Sequence, residues 1–263
     1  MYTRQDIVSN FYGQYDEDGG TTRSRQGQLE YWTTMSFIHR YTKKQSKILE
    51  VGAGTGRYAI SLAKEGMDVT AVELVDSNLK ILRNSSQGQV NLKSLQGDAT
   101  DLSYFPDNTF DVTLCLGPMY HLYETVEVNC AIDEAIRVTK PNGIMFFSFI
   151  SVFAIMYSNY FYGNWPEGQV MNFTDNYQVR HFKEQLFTGY DVSEFELLFH
   201  TKPVEWITTA GVDGMIEAIE KHPDFSMNDV EFEAFAEWYL AFSEKRELLG
   251  NTNHLLYICR KHV

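Results

Sequence analysis

Residues 48–56, Ile-Leu-Glu-Val-Gly-Ala-Gly-Thr-Gly, constrain this chain more than any other stretch. They read as a buried strand that ends in a glycine-rich turn and opens a helix. In such a turn glycines supply backbone angles that side chains disfavour, and they let a ligand approach the main chain closely. The glycines stand at Gly52, Gly54 and Gly56, a GxGxG spacing, whereas the dinucleotide fingerprint is GxGxxG. Glu50 sits just before the loop. A carboxylate there would repel a pyrophosphate, so a cationic, phosphate-free ligand fits better. The competing reading is an ordinary strand-to-helix turn in some other α/β protein.

Around this turn, apolar runs of strand length alternate with amphipathic helical stretches from about residue 46 to 150. Lys47–Val51, Asp68–Glu73, Asn91–Gln96, Phe110–Leu116 and Ile144–Ile150 are the expected strands. Helices are expected over Arg57–Gly66, with Ile60, Leu62 and Ala63 toward the sheet, and through Leu79, Ile81 and Leu82 after an N-cap at 76–78. A third is expected over Thr125–Thr139. This alternation implies a doubly wound, mostly parallel sheet with helices on both faces. Residues 1–45 hold two helical patterns around an acidic loop at 16–20, and 149–165 hold seven aromatics, from Phe149 to Trp165. Beyond them, a helix at Asp191–Phe199, a strand at Val204–Ala210, a long helix at Val230–Leu249 and a closing strand at His254–Arg260 are expected. With 263 residues, this suits one domain: a helical cap (1–45), a core (46–150), an aromatic lid insertion (151–200) and a sheet-completing part (201–263).

A formal charge of −13 without a basic run makes nucleic acid a poor partner. Cys115, Cys130 and Cys259 are odd in number and widely spaced, which indicates neither a disulfide framework nor a metal site. The N-terminal stretch lacks a signal-peptide pattern, and the longest apolar run is too short to span a bilayer. The expectation is a cytoplasmic protein with no membrane role.

The glycine turn with its acid resembles the first motif of the class I S-adenosylmethionine (SAM)-dependent methyltransferases. More of the chain follows the same pattern: Glu73 ends the second strand about twenty residues on, Gly97-Asp98-Ala99 follows the third, and Phe110-Asp111-Val112 opens the fourth. The resemblance covers residues 46–150 well and 200–263 more weakly. It implies a seven-stranded Rossmann-like sheet of order 3-2-1-4-5-7-6 with the seventh strand antiparallel, and SAM as cofactor with S-adenosylhomocysteine as product. It implies a donor site made of Glu50, Gly52, Ala53, Gly54, Gly56, Glu73, Leu74, Asp98, Ala99 and Leu116. In that site Glu73 accepts from the ribose hydroxyls and Asp98 from the adenine amino group. Glu73→Ala is accordingly expected to weaken donor binding while leaving the fold intact.

The fourth strand runs into Gly117-Pro118-Met119-Tyr120-His121-Leu122, which resembles a subset of bacterial small-molecule methyltransferases with an N-terminal helical cap. Methyl transfer from a sulfonium is an in-line displacement, so alignment and exclusion of water dominate, and a base helps when the acceptor carries a proton. His121 is the candidate base and Tyr120 the candidate orienting group. The alternative for His121 is loop support by hydrogen bonding. The 149–165 aromatics and the N-terminal helices, with Tyr12 and Tyr15, are expected to roof the pocket. The aromatics also suit lid packing or a homodimer contact. The reading is a methyltransferase acting on a small-molecule acceptor. The alternatives are a non-catalytic SAM-binding regulatory protein and a nicotinamide-dependent oxidoreductase.

Overall fold

The computed structural model describes residues 3–12, 24–182 and 185–263; the acidic loop and Tyr15 lie outside them. In chain order the helices are α1 (Arg4–Tyr12), α2 (Arg25–His39), α3 (Arg57–Lys64), α4 (Asp76–Ser85), α5 (Thr125–Val138), α6 (Val152–Tyr160) and α7 (Trp165–Asn172). They continue with α8 (Val192–Leu197), α9 (Ile216–Glu220), α10 (Asp229–Phe242) and α11 (Arg246–Leu249). The strands are β1 (Lys47–Val51), β2 (Asp68–Glu73), β3 (Leu92–Gln96), β4 (Phe110–Cys115), β5 (Thr139–Ser151), β6 (Gly189–Tyr190), β7 (Val204–Gly211) and β8 (His254–Lys261).

The sheet runs β3-β2-β1-β4-β5-β8-β7. β1 to β5 are parallel, and β8 is antiparallel to both β5 and β7. This is the expected order with one addition, since β6 pairs in parallel with the end of β5 through Ile150 and Ser151. A two-residue strand leaves no periodicity to read. Its Gly189 lies against α6, where a Cβ would meet Val152 Cα at 2.7 Å.

Successive residues of the central strands enter opposite layers, as strand geometry requires. Val51, Cys115, Met145 and Phe147 pack with Ala131, Ile132 and Ala135 of α5. Ile48, Leu114, Phe146 and Ile258 pack with Phe37 and Ile38 of α2 and with Ala59, Leu62 and Ala63 of α3. Burial on both faces is why these strands read as near-continuous apolar runs.

Four local expectations shift. Ala59, not Ile60, joins Leu62 and Ala63 in the buried stripe of α3. Val75 is the N-cap of α4 and Asp76 lies inside the first turn, paired with Lys80 at 2.6 Å; Ile81 is exposed. β5 starts at Thr139 because the 140–143 turn is absorbed into the strand as an irregularity, with Asn142 at φ +63°. The long C-terminal helix breaks after Phe242, where the Ser243 carbonyl accepts the Gly211 N–H of β7 (2.9 Å) instead of continuing the helix. Among the described residues no helix is long and apolar enough to cross a membrane.

Candidate functional site

A cavity of about 530 Å³ opens beyond the carboxyl ends of β1 to β4, where parallel α/β sheets place their ligands. That size lies within the roughly 300–1,000 Å³ usual for small-molecule sites. Its wall includes Glu50 of β1, Gly52, Ala53 and Gly54 from the turn after it, Glu73 and Leu74 at the end of β2, Asp98 and Ala99 after β3, and Leu116, Tyr120 and His121 after β4. Of the residues singled out from the sequence, Gly56 stands apart. At φ +93° it caps α3, and a Cβ there would meet Leu82 Cγ at 2.7 Å, so its work is in the turn. Gly52 (φ +73°) lies against the segment after β4, where a Cβ would come within 2.6 Å of Pro118. The glycine turn and the Gly117-Pro118 turn are thus pressed together at the cavity floor.

Glu73 lines the cavity and also holds the turn. Its buried carboxylate accepts the Gly54 N–H at 2.7 Å and the Val75 N–H at 2.8 Å, tying the glycine turn to the end of β2. Burial raises its pKa and these backbone donors partly offset the rise. Leu74 adds a third backbone donor, and the acceptor capacity left on the carboxylate suits a ligand hydroxyl. Glu50 is buried at the end of β1. Carboxylates at these two strand ends match the donors of an adenosyl sulfonium, its ammonium and ribose hydroxyls, and repel a pyrophosphate. On that chemistry the residues fit SAM.

Asp98 is placed differently from its expected part. Oδ1 accepts Thr100 N–H and Thr100 Oγ1, both at 2.9 Å, while Oδ2 accepts Arg4 at 2.6 Å and Gln5 at 2.9 Å. Burial opposes its charge, yet these partners hold the carboxyl below its ordinary value. A carboxylate has about four acceptor sites, so Asp98 is spent on anchoring α1. An adenine amino group would reach it only in place of Arg4 or Gln5. Arg4 also pairs with Glu127 at 3.1 Å. So fixed, α1 lays Val8, Phe11 and Tyr12 along the cavity.

His121 closes the short 3₁₀ turn Pro118–His121 and is buried. Nδ1 donates to the Leu186 carbonyl at 2.8 Å, which leaves Nε2 to accept from the Tyr12 hydroxyl at 3.1 Å. Burial pushes its pKa down to about 4, with the Leu186 contact opposing. A neutral ring with both nitrogens engaged is placed to support the segment over the cavity. Tyr120 donates to the Leu116 carbonyl at 3.2 Å and turns its ring toward the cavity.

The far end of the cavity is made of residues to which the sequence assigned no site role. Gln26 and Glu30 come from α2, Tyr58 from α3, Glu217 from α9, and Asn253 and His254 from the start of β8. Glu30, close to Asp213, is pushed up chiefly by burial. His254, expected as the first residue of the closing strand, opens β8 and also stands in the cavity wall, its Nδ1 2.7 Å from Asp213. The signal for this pair is tertiary: the β7–β8 ladder, which ends with Gly211 opposite Leu255, brings together residues 41 apart.

The aromatic segment does not roof this cavity. Phe149 is core, stacked on Phe195 at 4.0 Å between centroids. Phe153, Tyr157 and Trp165 line a second groove of about 630 Å³ on the opposite side of α6, with Phe173, Tyr177, Asp191 and Glu194. α6 gives the first cavity Ile155, Ser158 and Asn159 instead.

Residues 49–147 match a family model described as a methyltransferase domain. The demethylmenaquinone methyltransferase of Paenarthrobacter aurescens is 35% identical over 118 residues, 44% of each chain. The ubiquinone biosynthesis O-methyltransferase of Rickettsia typhi is 26% identical over 216 residues, 79% of this chain and 85% of that one. The chain spans about half the length of the first of these and of several other curated relatives. A SAM-dependent methyltransferase from Methanosarcina mazei shares the fold at a TM-score of 0.56 and 14% identity, over 86% of this chain and 97% of that one. The match over residues 49–147 is thus to a methyltransferase domain, and the solved structure shares the fold.

Proposed function

We propose that this chain transfers a methyl group from SAM to a small, polar acceptor molecule. One observation carries the reading: a single cavity joins a donor end, built from Glu50, the Gly52–Gly54 turn and Glu73, to a polar end built from α2, α9 and the start of β8. The donor supplies, when bound, a methyl group already activated on a sulfonium, so the protein's task is to align and desolvate. Glu50 offers negative charge to the cationic donor, and Glu73 holds the glycine turn and presents its remaining lone pairs to the ribose. Asp98 and Arg4 clamp α1 over the cavity, and His121 holds Tyr12, which excludes water from above.

Relatives named for demethylmenaquinone and ubiquinone biosynthesis support a small-molecule acceptor. The acceptor end here carries Gln26, Glu30, Glu217, Asn253 and His254. Burying such groups against hydrocarbon is costly, so the acceptor is a polar molecule that hydrogen-bonds to them. Calorimetric titration with SAM and with NADH tests the donor. Incubation with a panel of phenols, amines and thiols, followed by mass-spectrometric detection of S-adenosylhomocysteine, tests transfer. SAM binding without NADH binding, and acceptor-dependent product, are expected. Absence of SAM binding would sink the proposal, and binding with no transfer to any acceptor would favour a regulatory SAM-binding protein.

A further inference from the structure

Asp213 and His254 have no part in the donor site. Asp213 is fully buried in the turn after β7, and five donors converge on it. Oδ1 accepts Thr252 Oγ1 (2.7 Å) and the N–H groups of Asn253 (2.9 Å) and His254 (3.0 Å). Oδ2 accepts Gln26 Nε2 (2.8 Å) and His254 Nδ1 (2.7 Å). A carboxylate held this way cannot turn. Because Nδ1 is committed to Asp213, Nε2 is the polar atom the ring has left. No hydrogen bond reaches Nε2 among the described residues, and the ring stands in the cavity wall, 6.1 Å from that of Tyr120. A buried carboxylate that fixes a histidine at an open site both sets the tautomer and stabilises the imidazolium.

We propose that His254, positioned by Asp213, is the acid–base group of the acceptor site, and that the acceptor is therefore an oxygen or nitrogen nucleophile that carries a proton. The inference rests on the methyltransferase reading. His254 Nε2 takes that proton as the acceptor's lone pair forms the bond to the methyl carbon and the carbon–sulfur pair returns to sulfur. The proton then passes from the imidazolium to solvent.

The surroundings of the ring say when it can act. Glu30 of α2, Glu217 of α9 and Asp213 face it, and Arg57 of α3 lies beyond Glu30. Tyr58 and Tyr120 border the same space. Burial alone would lower its pKa, but the three carboxylates outweigh burial and push it up to about 10. In the donor-free protein the ring is thus protonated at neutral pH. His254 loses part of that bias when a cationic donor shares the cavity, so donor binding raises the neutral, base-competent fraction of the ring, and that fraction grows with pH.

This coupling can be read without knowing the acceptor. The full chain, labelled with ¹⁵N-histidine, is titrated by NMR alone, with SAM and with S-adenosylhomocysteine, and the His254 resonance is identified by its loss in His254→Gln. The two ligands differ by one methyl and one positive charge. A unit charge at several ångströms in a partly screened site should lower the midpoint by about one to two pH units in the SAM complex relative to the other. Equal midpoints in the two complexes would overturn the placement of His254 beside the transferred methyl. Failure of both ligands to bind would instead overturn the methyltransferase reading. Asp213→Asn should bring the midpoint toward the ordinary histidine value with SAM affinity kept within about threefold; an unchanged midpoint would remove Asp213 as the positioning residue. With any acceptor that turns over, the rate should climb with pH across neutrality, whereas a rate that falls would make the ring a hydrogen-bond donor and overturn the base.

Discussion

Glu73→Ala removes the side chain that ties the glycine turn to the end of β2. In the native protein its carboxylate is 5% exposed and accepts the Gly54 N–H at 2.7 Å and the Val75 N–H at 2.8 Å. Hydrogen bonds to a charged group contribute roughly 1.5–3 kcal/mol each, a gross loss of about 3–6 kcal/mol. Burial works the other way, since it raises the carboxyl pKa and so offsets part of that gain. The net destabilisation should be about 2–4 kcal/mol. In a chain of this size each kcal/mol moves Tm by about 2–4 °C, so scanning calorimetry should record a fall of about 5–15 °C. SAM affinity, titrated well below the lowered Tm, should drop at least about tenfold through loss of ribose contacts. The hydrogen bonds add a stability cost to the loss of donor binding expected for this variant. Glu73→Gln keeps the volume and one acceptor oxygen, and should fall between. An alanine variant with the native Tm would refute the structural tie, and one with native SAM affinity would remove Glu73 from the donor site.

Arg4→Ala breaks the contacts to Asp98 and Glu127, so hydrogen exchange over residues 4–12 should speed up about tenfold or more while the sheet stays protected; unchanged protection of α1 would show that the clamp is not what holds it. His121 is neutral from about pH 5 upward because burial pushes its pKa down to about 4. His121→Asn should therefore weaken donor or acceptor binding without removing a limb from the pH–rate profile, and a lost limb would restore it as the base. The raised pKa of His254 contributes stability that is fully present below its unfolded value near 6.5 and lost as pH rises through about 10. The Tm gap between the native protein and His254→Gln should be widest near pH 6 and narrow toward pH 10; a gap that widens would contradict the pairing.

The limits of β1 and β2 could be read to the residue because a strand buried on both faces is a short apolar run between loop signals. β8 is legible for the same reason, whereas β7, at the sheet edge, is buried only toward its C-terminal end. What escaped reading was set by contacts distant in sequence. Ser243 ends α10 because its carbonyl meets Gly211 on β7, although the apolar spacing of the helix continues past it. Residues 139–143 join β5 because Thr139 pairs with Phe110, while a Pro-Asn-Gly turn suggests a loop. Asp76 has the side chain of an N-cap yet enters the helix, since Val75 already holds the extended conformation that the cap position needs.

The two ends of the cavity differ in the same way. Its donor end is built at the tips of consecutive parallel strands, so each strand gives one residue and the order of the strands gives the order of the residues. Glu50, Glu73 and the 97–99 segment could be placed from position alone. The other end is assembled from α1, α2, α6, α9 and the β7–β8 corner, and its bonds cross 94 residues for Arg4 and Asp98 and 41 for Asp213 and His254. Composition misleads there. Seven aromatics between 149 and 165 suggest a roof, but a helix distributes side chains by its 3.6-residue repeat. Positions 155, 158 and 159 of α6 meet the cavity as Ile, Ser and Asn, and positions 153, 156 and 157 carry Phe, Met and Tyr to the other groove. On the proposed reading, donor recognition rests on main-chain turns and strand ends, which a sequence constrains locally, and acceptor recognition on Glu30, Glu217 and His254, side chains that only the folded chain brings together.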